Sequence, residues 1–476
     1  MTPDEYLRFD ATGLAGLIAR KEVSARDVIA AAIARIEALN PAINAVVATC
    51  FEEALAALPE QPAGSQPFFG VPYLIKDLFA PVRGLPLTHG SRLFAGNVMD
   101  FDAETVARLR RAGFVILGRT NSPEFGLNVT TEPMAHGATR NPWNRGHSPG
   151  GSSGGAAAAV AAGMLPAAHA TDSGGSIRIP ASCCGLVGLK PTRGRNPFGP
   201  HRGDANAGLS HEHAVTRSVR DCAAILDATS GPMAGDPYCT APPAVPFLQA
   251  IARPPERLRI GFAQQGFDGA TIDPECRSAV VKTANLCRDL GHEVDEAMPD
   301  FDRAALTDAC LTVLKAGMAG AIGAREAQIG RAAAADDLEP VTHAVLRLGR
   351  ALPATAYVAA LAVINREVRR IAAFFADYDL LLTPTLAQPP AALGELRGDT
   401  DDGEGFLHRL FEYAPFTLPF NATGQPAISL PLHATAGGLP VGVQFVAPFG
   451  ADAVLLRLAA QIEQAAPWPQ TAPPGM

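Results

Sequence analysis

Aromatic side chains are scarce in this chain of 476 residues: 22 Phe, 6 Tyr and 2 Trp. A platform on which nucleic-acid bases stack therefore has little to be built from. An excess of positive charge is missing as well, since 39 Lys and Arg face 47 Asp and Glu for a formal net charge of −8. Polyanion-binding surfaces need clustered cations, so nucleic acid is not an expected partner. Eight cysteines include no CxxC pair, and only Cys183 and Cys184 are adjacent. This argues against a zinc ribbon or disulfide framework and for reduced thiols in a cytoplasmic protein. The opening MTPDEYLRFD carries early acids and no apolar run, unlike a secretory signal.

Lys, Arg, Asp and Glu are all absent between Arg145 and Asp172. A membrane span needs about 20 mostly apolar residues. Here the first part is SPGGSSGG and the remainder is Ala and Gly broken by Pro166, which predicts a tightly packed buried helix and no membrane partner. With 46 Gly and 41 Pro the chain stays below the composition of low-complexity sequences, and at 47% hydrophobic residues it has ample material for a core.

Ser24-Ala-Arg-Asp27 has the form of a capping box, and Val28, Ile29, Ala32, Ile33, Ile36 and Leu39 follow at helical spacing. Apolar runs at Phe69–Ile75 and Phe114–Leu117 predict strands, the second after a helix near Ala103–Arg111 that Gly113 ends. A strand near Leu165–Ala170, strand–helix–strand at Leu258–Phe262, Ala279–Leu290 and His292–Glu296, an almost entirely helical pattern over Ala304–Ala376, strands at Leu380–Leu382 and Val441–Phe445, and a last helix at Ala451–Ala465 complete the pattern. Asp399–Glu404 reads as a solvated loop, and His211 and His213, flanking a Glu, read as loop residues. No repeat or linker interrupts the alternation. The expectation is one α/β domain over 1–476, with a central mixed β-sheet covered by helices on both faces.

Three segments carry chemistry. Gly150-Gly-Ser-Ser-Gly-Gly155, a loop entering the Ala156–Met164 helix, is open to three readings: a flexible turn, a phosphate cradle, or a G-x-S-x-G nucleophile elbow, which it matches at both Ser152 and Ser153. No lysine follows as in a phosphate loop, and the preceding TRNPWNRGHSP is not a strand as an elbow demands. Downstream, Thr171-Asp-Ser-Gly-Gly-Ser176-Ile-Arg178 places two glycines before a serine, so that consecutive N–H groups can share one concavity suited to an oxyanion. A tight turn held by Asp172 and Arg178 accounts for it equally well. Lys76 ends the apolar run of GVPYLIKD; a lysine at the end of a buried strand is desolvated and can serve as a base, unless it merely pairs with Asp77.

GVPYLIKD, SPGGSSGG and TDSGGSIRIPASCCGLVGLKPT together resemble the amidase signature family of serine amidohydrolases, in that family's order, and the likeness runs on to NATGQPAISLPL and GLPVGVQFVAP. The signature core would span about 69–195. The resemblance implies Ser176 as nucleophile, Ser152 in a cis peptide as bridging serine and Lys76 as terminal base. It also implies an oxyanion hole from the N–H groups of Ser173, Gly174, Gly175 and Ser176, with Asp172 and Arg178 bracing the loop. Thr131 in VTTEP is implied as a substrate contact. No metal or cofactor is implied, and no histidine is needed. VTTEPMAHGATRNPWN and LKPTRGR resemble the branch of 6-aminohexanoate cyclic-dimer hydrolases. The expected activity is hydrolysis of a small or oligomeric carboxamide; ester or urethane hydrolysis and a glutamine amidotransferase subunit are the alternatives. A homo-oligomer is compatible with each. Ala156 departs from the serine that relatives commonly carry there, which questions the packing behind Ser152.

Overall fold

In the computed structural model, which describes residues 1–62 and 64–473, the Asp27 N–H donates to the Ser24 hydroxyl at 3.1 Å and opens the helix Ala25–Ile43. That helix buries Val28, Ile29, Ala32 and Ile36, the stripe its spacing predicts, and ends on Asn44 in the left-handed conformation that Asn tolerates.

Among the described residues, eleven strands form two sheets: β1 Val46–Thr49, β2 Pro72–Lys76, β3 Val115–Thr120, β4 Ala167–Asp172, β5 Val187–Lys190, β6 His211–Thr216, β7 Arg259–Phe262, β8 Glu293–Glu296, β9 Leu380–Pro384, β10 Ala427–Ala434 and β11 Pro440–Val446. The smaller runs β1-β3-β2 and the larger β4-β6-β5-β10-β11-β9-β7-β8. Both are mixed: β2 pairs parallel with β3, β9-β7-β8 is parallel, and the pairings from β4 through β11 are antiparallel. The sheets abut where β2 lies beside β4.

Helices cover both faces. Val219–Thr229, Pro274–Asp289 and Asp452–Ala465 bury one side of the large sheet, with Leu189, Ile428, Leu430, Val443 and Phe445 beneath them. On the other side lie Gly154–Ala161 and Arg178–Cys184, packed on Ala168, Ala170 and Val215. The uncharged stretch thus holds a helix with every residue buried, as its small side chains predict.

The helical pattern over Ala304–Ala376 is met by three helices, Arg303–Ile329, Pro340–Ala351 and Ala354–Ala373, divided where Gly330 takes a left-handed cap and Pro353 forbids continuation. Two expectations are corrected. His211 and His213 lie in β6, an interior strand with every residue buried, which the polarity of His-Glu-His concealed. Glu404, expected in a loop, belongs to the helix Gly403–Tyr413 that Asp402 caps.

Candidate active site

Every residue of β2 is buried, so Lys76 ends the strand with its amine inside the protein. Its Nζ lies 2.7 Å from Ser152 Oγ and donates to Thr171 Oγ1 at 2.9 Å. Burial drives the lysine well below its ordinary pKa, and the carboxylates of Asp172 and Glu212 oppose the fall without reversing it. Asp77 does not pair with Lys76; it accepts from the Thr88 N–H at 2.8 Å and from the Thr88 hydroxyl. Thr171, which sequence reasoning passed over, is the second partner of the amine. Its one signal is its place just before Asp172, at the end of the same strand.

The glycines of GGSSGG answer to close backbone approach. A Cβ on Gly151 would stand 2.4 Å from the Thr130 carbonyl, on Gly154 2.3 Å from Thr131 Oγ1, and on Gly155 2.4 Å from the Asn121 nitrogen. The Gly151–Ser152 peptide is cis. Ser153 exchanges hydrogen bonds with the backbone of Thr171, donating at 3.2 Å and accepting at 3.3 Å, and so fastens the loop to the end of β4. No strand runs into the loop, which removes the nucleophile elbow. Ala156 is buried among Ala157, Val160 and Ala181, so apolar contact fills the place of the usual serine.

β4 ends at Asp172, and the chain turns through Ser173–Ser176 into the helix Arg178–Cys184. Asp172 organises the turn. It accepts from the Gly175 and Ile177 N–H groups at 2.7 and 3.1 Å, from Arg178 at 2.8 and 2.9 Å, and from Asn421 at 2.8 Å. Burial alone would raise its pKa, but the Arg178 charge and these donors hold it far below the carboxylate range. Arg178, fully buried, also donates to the Thr417 carbonyl and Gln444, at 2.9 and 2.8 Å.

Ser152, Ser173, Gly174 and Ser176 open onto one cavity of about 360 Å3, walled mainly by Leu78, Phe125, Ile179, Met318, Leu407 and Phe411. Arg202, Asp204, Asn128 and Asn206 supply its polar lining. Among the described residues, the N–H groups of Ser173, Gly174 and Ser176 donate to no protein acceptor. Gly175 differs from expectation: its N–H is spent on Asp172, and a Cβ there would strike Thr417 Oγ1 at 2.4 Å. Thr131 differs too. It is fully buried away from the cavity, and its hydroxyl donates to the Gly150 carbonyl at 2.8 Å, so it braces the serine loop.

The amidase family model matches residues 27–456. The chain belongs to the amidase signature family. The 6-aminohexanoate-cyclic-dimer hydrolase of Paenarthrobacter ureafaciens is 42% identical over 96% of this chain and 95% of its own. A solved 6-aminohexanoate cyclic dimer hydrolase complexed with substrate superposes with a TM-score of 0.94 at 41% identity, covering 98% of this chain and 99% of that one. A bacterial aryl acylamidase of the amidase signature family gives 0.87 at 28% identity, covering 97% and 96%. The amidase is thus a hydrolase of carbon–nitrogen amide bonds on a single α/β domain.

Proposed function

We propose that Ser176 is the acyl-forming nucleophile, Ser152 the bridging serine and Lys76 the base, and that the substrate is an apolar carboxamide of the aminohexanoate type, cyclic or linear. The observation that carries this reading is the buried Lys76–Ser152 contact of 2.7 Å, with Ser152 and Ser176 on the wall of one apolar cavity. A neutral lysine keeps one lone pair. With an N–H given to Thr171, that lone pair faces the Ser152 hydroxyl. As Ser176 Oγ bonds to the substrate carbonyl carbon, its proton passes to Ser152 Oγ while the Ser152 proton passes to Lys76. The carbonyl oxygen, now anionic, takes the free N–H groups of the Ser173–Ser176 turn. The C–N bond then breaks, the amine leaves with the proton returned along the same relay, and water repeats the sequence on the acyl ester.

The cavity supports the substrate class. Its apolar wall accepts a hydrocarbon acyl chain and offers few groups to neutralise a charge placed along it. The eight cysteines, all unpaired thiols, support a reducing cytoplasmic setting.

The test is release of primary amine from 6-aminohexanoate cyclic dimer by the purified chain with no partner added, together with mass spectrometry of a fluorophosphonate adduct. Turnover in the wild type, none in Ser176→Ala, and a label on Ser176 are expected. A label on Ser152 or Ser153 would overturn the assignment, and a clear preference for α-amino-acid amides, whose charge sits beside the scissile carbonyl, would overturn the substrate class.

A further inference from the structure

A second cavity, of about 270 Å3, shares Phe79, Phe125 and Arg202 with the first and continues past them to His89, Phe94 and Arg325. Its floor is aromatic: His89 meets Phe94 edge-on at 4.7 Å and stacks on Phe125 at 6.1 Å. Burial pushes the His89 pKa down to about 3, so the ring is neutral. Two guanidinium groups rim this floor, Arg202 at 5.1 Å from the Phe79 ring centre and Arg325 at 5.0 Å from that of Phe94.

Glu212 supports the Arg202 charge from a distance, but no carboxylate contacts either cation among the described residues. Arg325 donates to the Leu93 carbonyl, Asn97 and Gln328, all neutral, and among the described residues neither arginine forms an ion pair. Asp204 borders only the first cavity and accepts the Gly208 N–H at 2.7 Å. A guanidinium over an apolar ring, without a carboxylate of its own, is suited to receive one.

The backbone marks the same place. Phe79, His89 and Phe125 adopt φ of 61°, 55° and 51°. Left-handed backbone is an outlier for bulky residues and gathers where a fold holds side chains for a ligand. Of the seven non-glycine residues with positive φ among those described, these three and Asn206 border the two joined cavities.

We infer that the second cavity is a distal subsite for the terminal carboxylate of an extended amide substrate, gripped by Arg202 and Arg325 above the aromatic floor. The inference rests on Ser176 as nucleophile for the position of the scissile bond. Within the proposed substrate class it favours linear amides that end in a carboxylic acid and gives that end a place in the fold.

The test measures kcat/KM for amides that differ only in a terminal carboxylate or its methyl ester, carried on the acyl chain in one pair and on the leaving amine in another. The carboxylate should be favoured by about tenfold or more in one pair, the size of one charge-assisted contact. Arg202→Gln and Arg325→Gln, singly and together, should bring that ratio toward one, and Arg325→Lys should keep part of it. In parallel, Ser176→Ala should bind 6-acetamidohexanoate more tightly than its methyl ester by calorimetry, and Arg325→Gln in that background should erase the difference. An active wild type with no preference in either pair, or a preference that survives both Arg→Gln changes, would overturn the subsite. Inactivity of the wild type on every amide, with arginine-dependent carboxylate binding intact, would instead overturn the nucleophile and leave the subsite standing.

Discussion

Replacing Asp172 with Asn perturbs two quantities that can be read separately. The carboxylate accepts five hydrogen bonds, two from Arg178 and one each from Gly175, Ile177 and Asn421. Asparagine turns one acceptor oxygen into a donor that faces other donors, and it leaves Arg178 buried without a counterion. Breaking a fully buried pair in this way costs about 3–5 kcal/mol. At about 1 °C per kcal/mol for a chain this long, the melting temperature should fall by several degrees. The second effect is on Lys76. Its base form is the neutral amine, so activity rises with pH as the lysine loses its proton, with an apparent pKa below that of a free lysine. Asp172 opposes that depression. Removing its charge and leaving Arg178 uncompensated both disfavour the ammonium, so the acid limb of kcat/KM should move to still lower pH even as the maximum rate drops. Thermal melts and a pH–rate profile of Asp172→Asn supply both readouts. An acid limb displaced upward, or an unchanged melting temperature, would refute the electrostatic account.

Lys76→Arg should lose about 10²–10⁴-fold in kcat, since a guanidinium cannot surrender its proton; wild-type turnover in that variant would eliminate Lys76 as base. Thr171→Val removes the acceptor that supports the protonated amine, so the acid limb should again move down in pH, a shift that loss of packing alone would not produce. Thr131→Val should lower stability by about 1 kcal/mol and leave KM within about twofold, whereas a large rise in KM would restore Thr131 as a substrate contact. Gly154→Ala should abolish activity or folding, because the new methyl would sit 2.3 Å from Thr131 Oγ1; a fully active variant would show that the serine loop does not need that approach.

Much of the candidate site was legible because its residues sit at the ends of elements that announce themselves. Lys76 closes an apolar run, Ser152 opens a small-residue helix, and Ser176 follows two glycines, and each signal is local. What stayed hidden is set by contacts distant in sequence. Nothing near Thr131 shows that its hydroxyl reaches the Gly150 carbonyl, and nothing in SGGS shows that Asp172 folds back to consume the Gly175 N–H. Asn421 and Thr417 reach this turn from more than 240 residues away, and nothing local to either shows that contact. Polarity misled at His211 and His213, where histidines line an interior strand.

The uncharged stretch from 146 to 171 joins the fold to the chemistry. Lys76 is a usable base only while its surroundings disfavour the ammonium, and charges in a low-dielectric interior act over long distances. An acid on the Ala helix or early in β4 would lie behind the relay and pull the lysine toward its protonated form; a base there would be buried unpaired. Small neutral residues meet both demands. They let the serine loop close to van der Waals contact with Asn121 and Thr130, and they keep the nearest charges few and fixed: Asp172 locked by Arg178, and Glu212 across from Thr171 in β6. The feature that resembled a membrane segment in composition is therefore the insulating wall of the proposed proton relay.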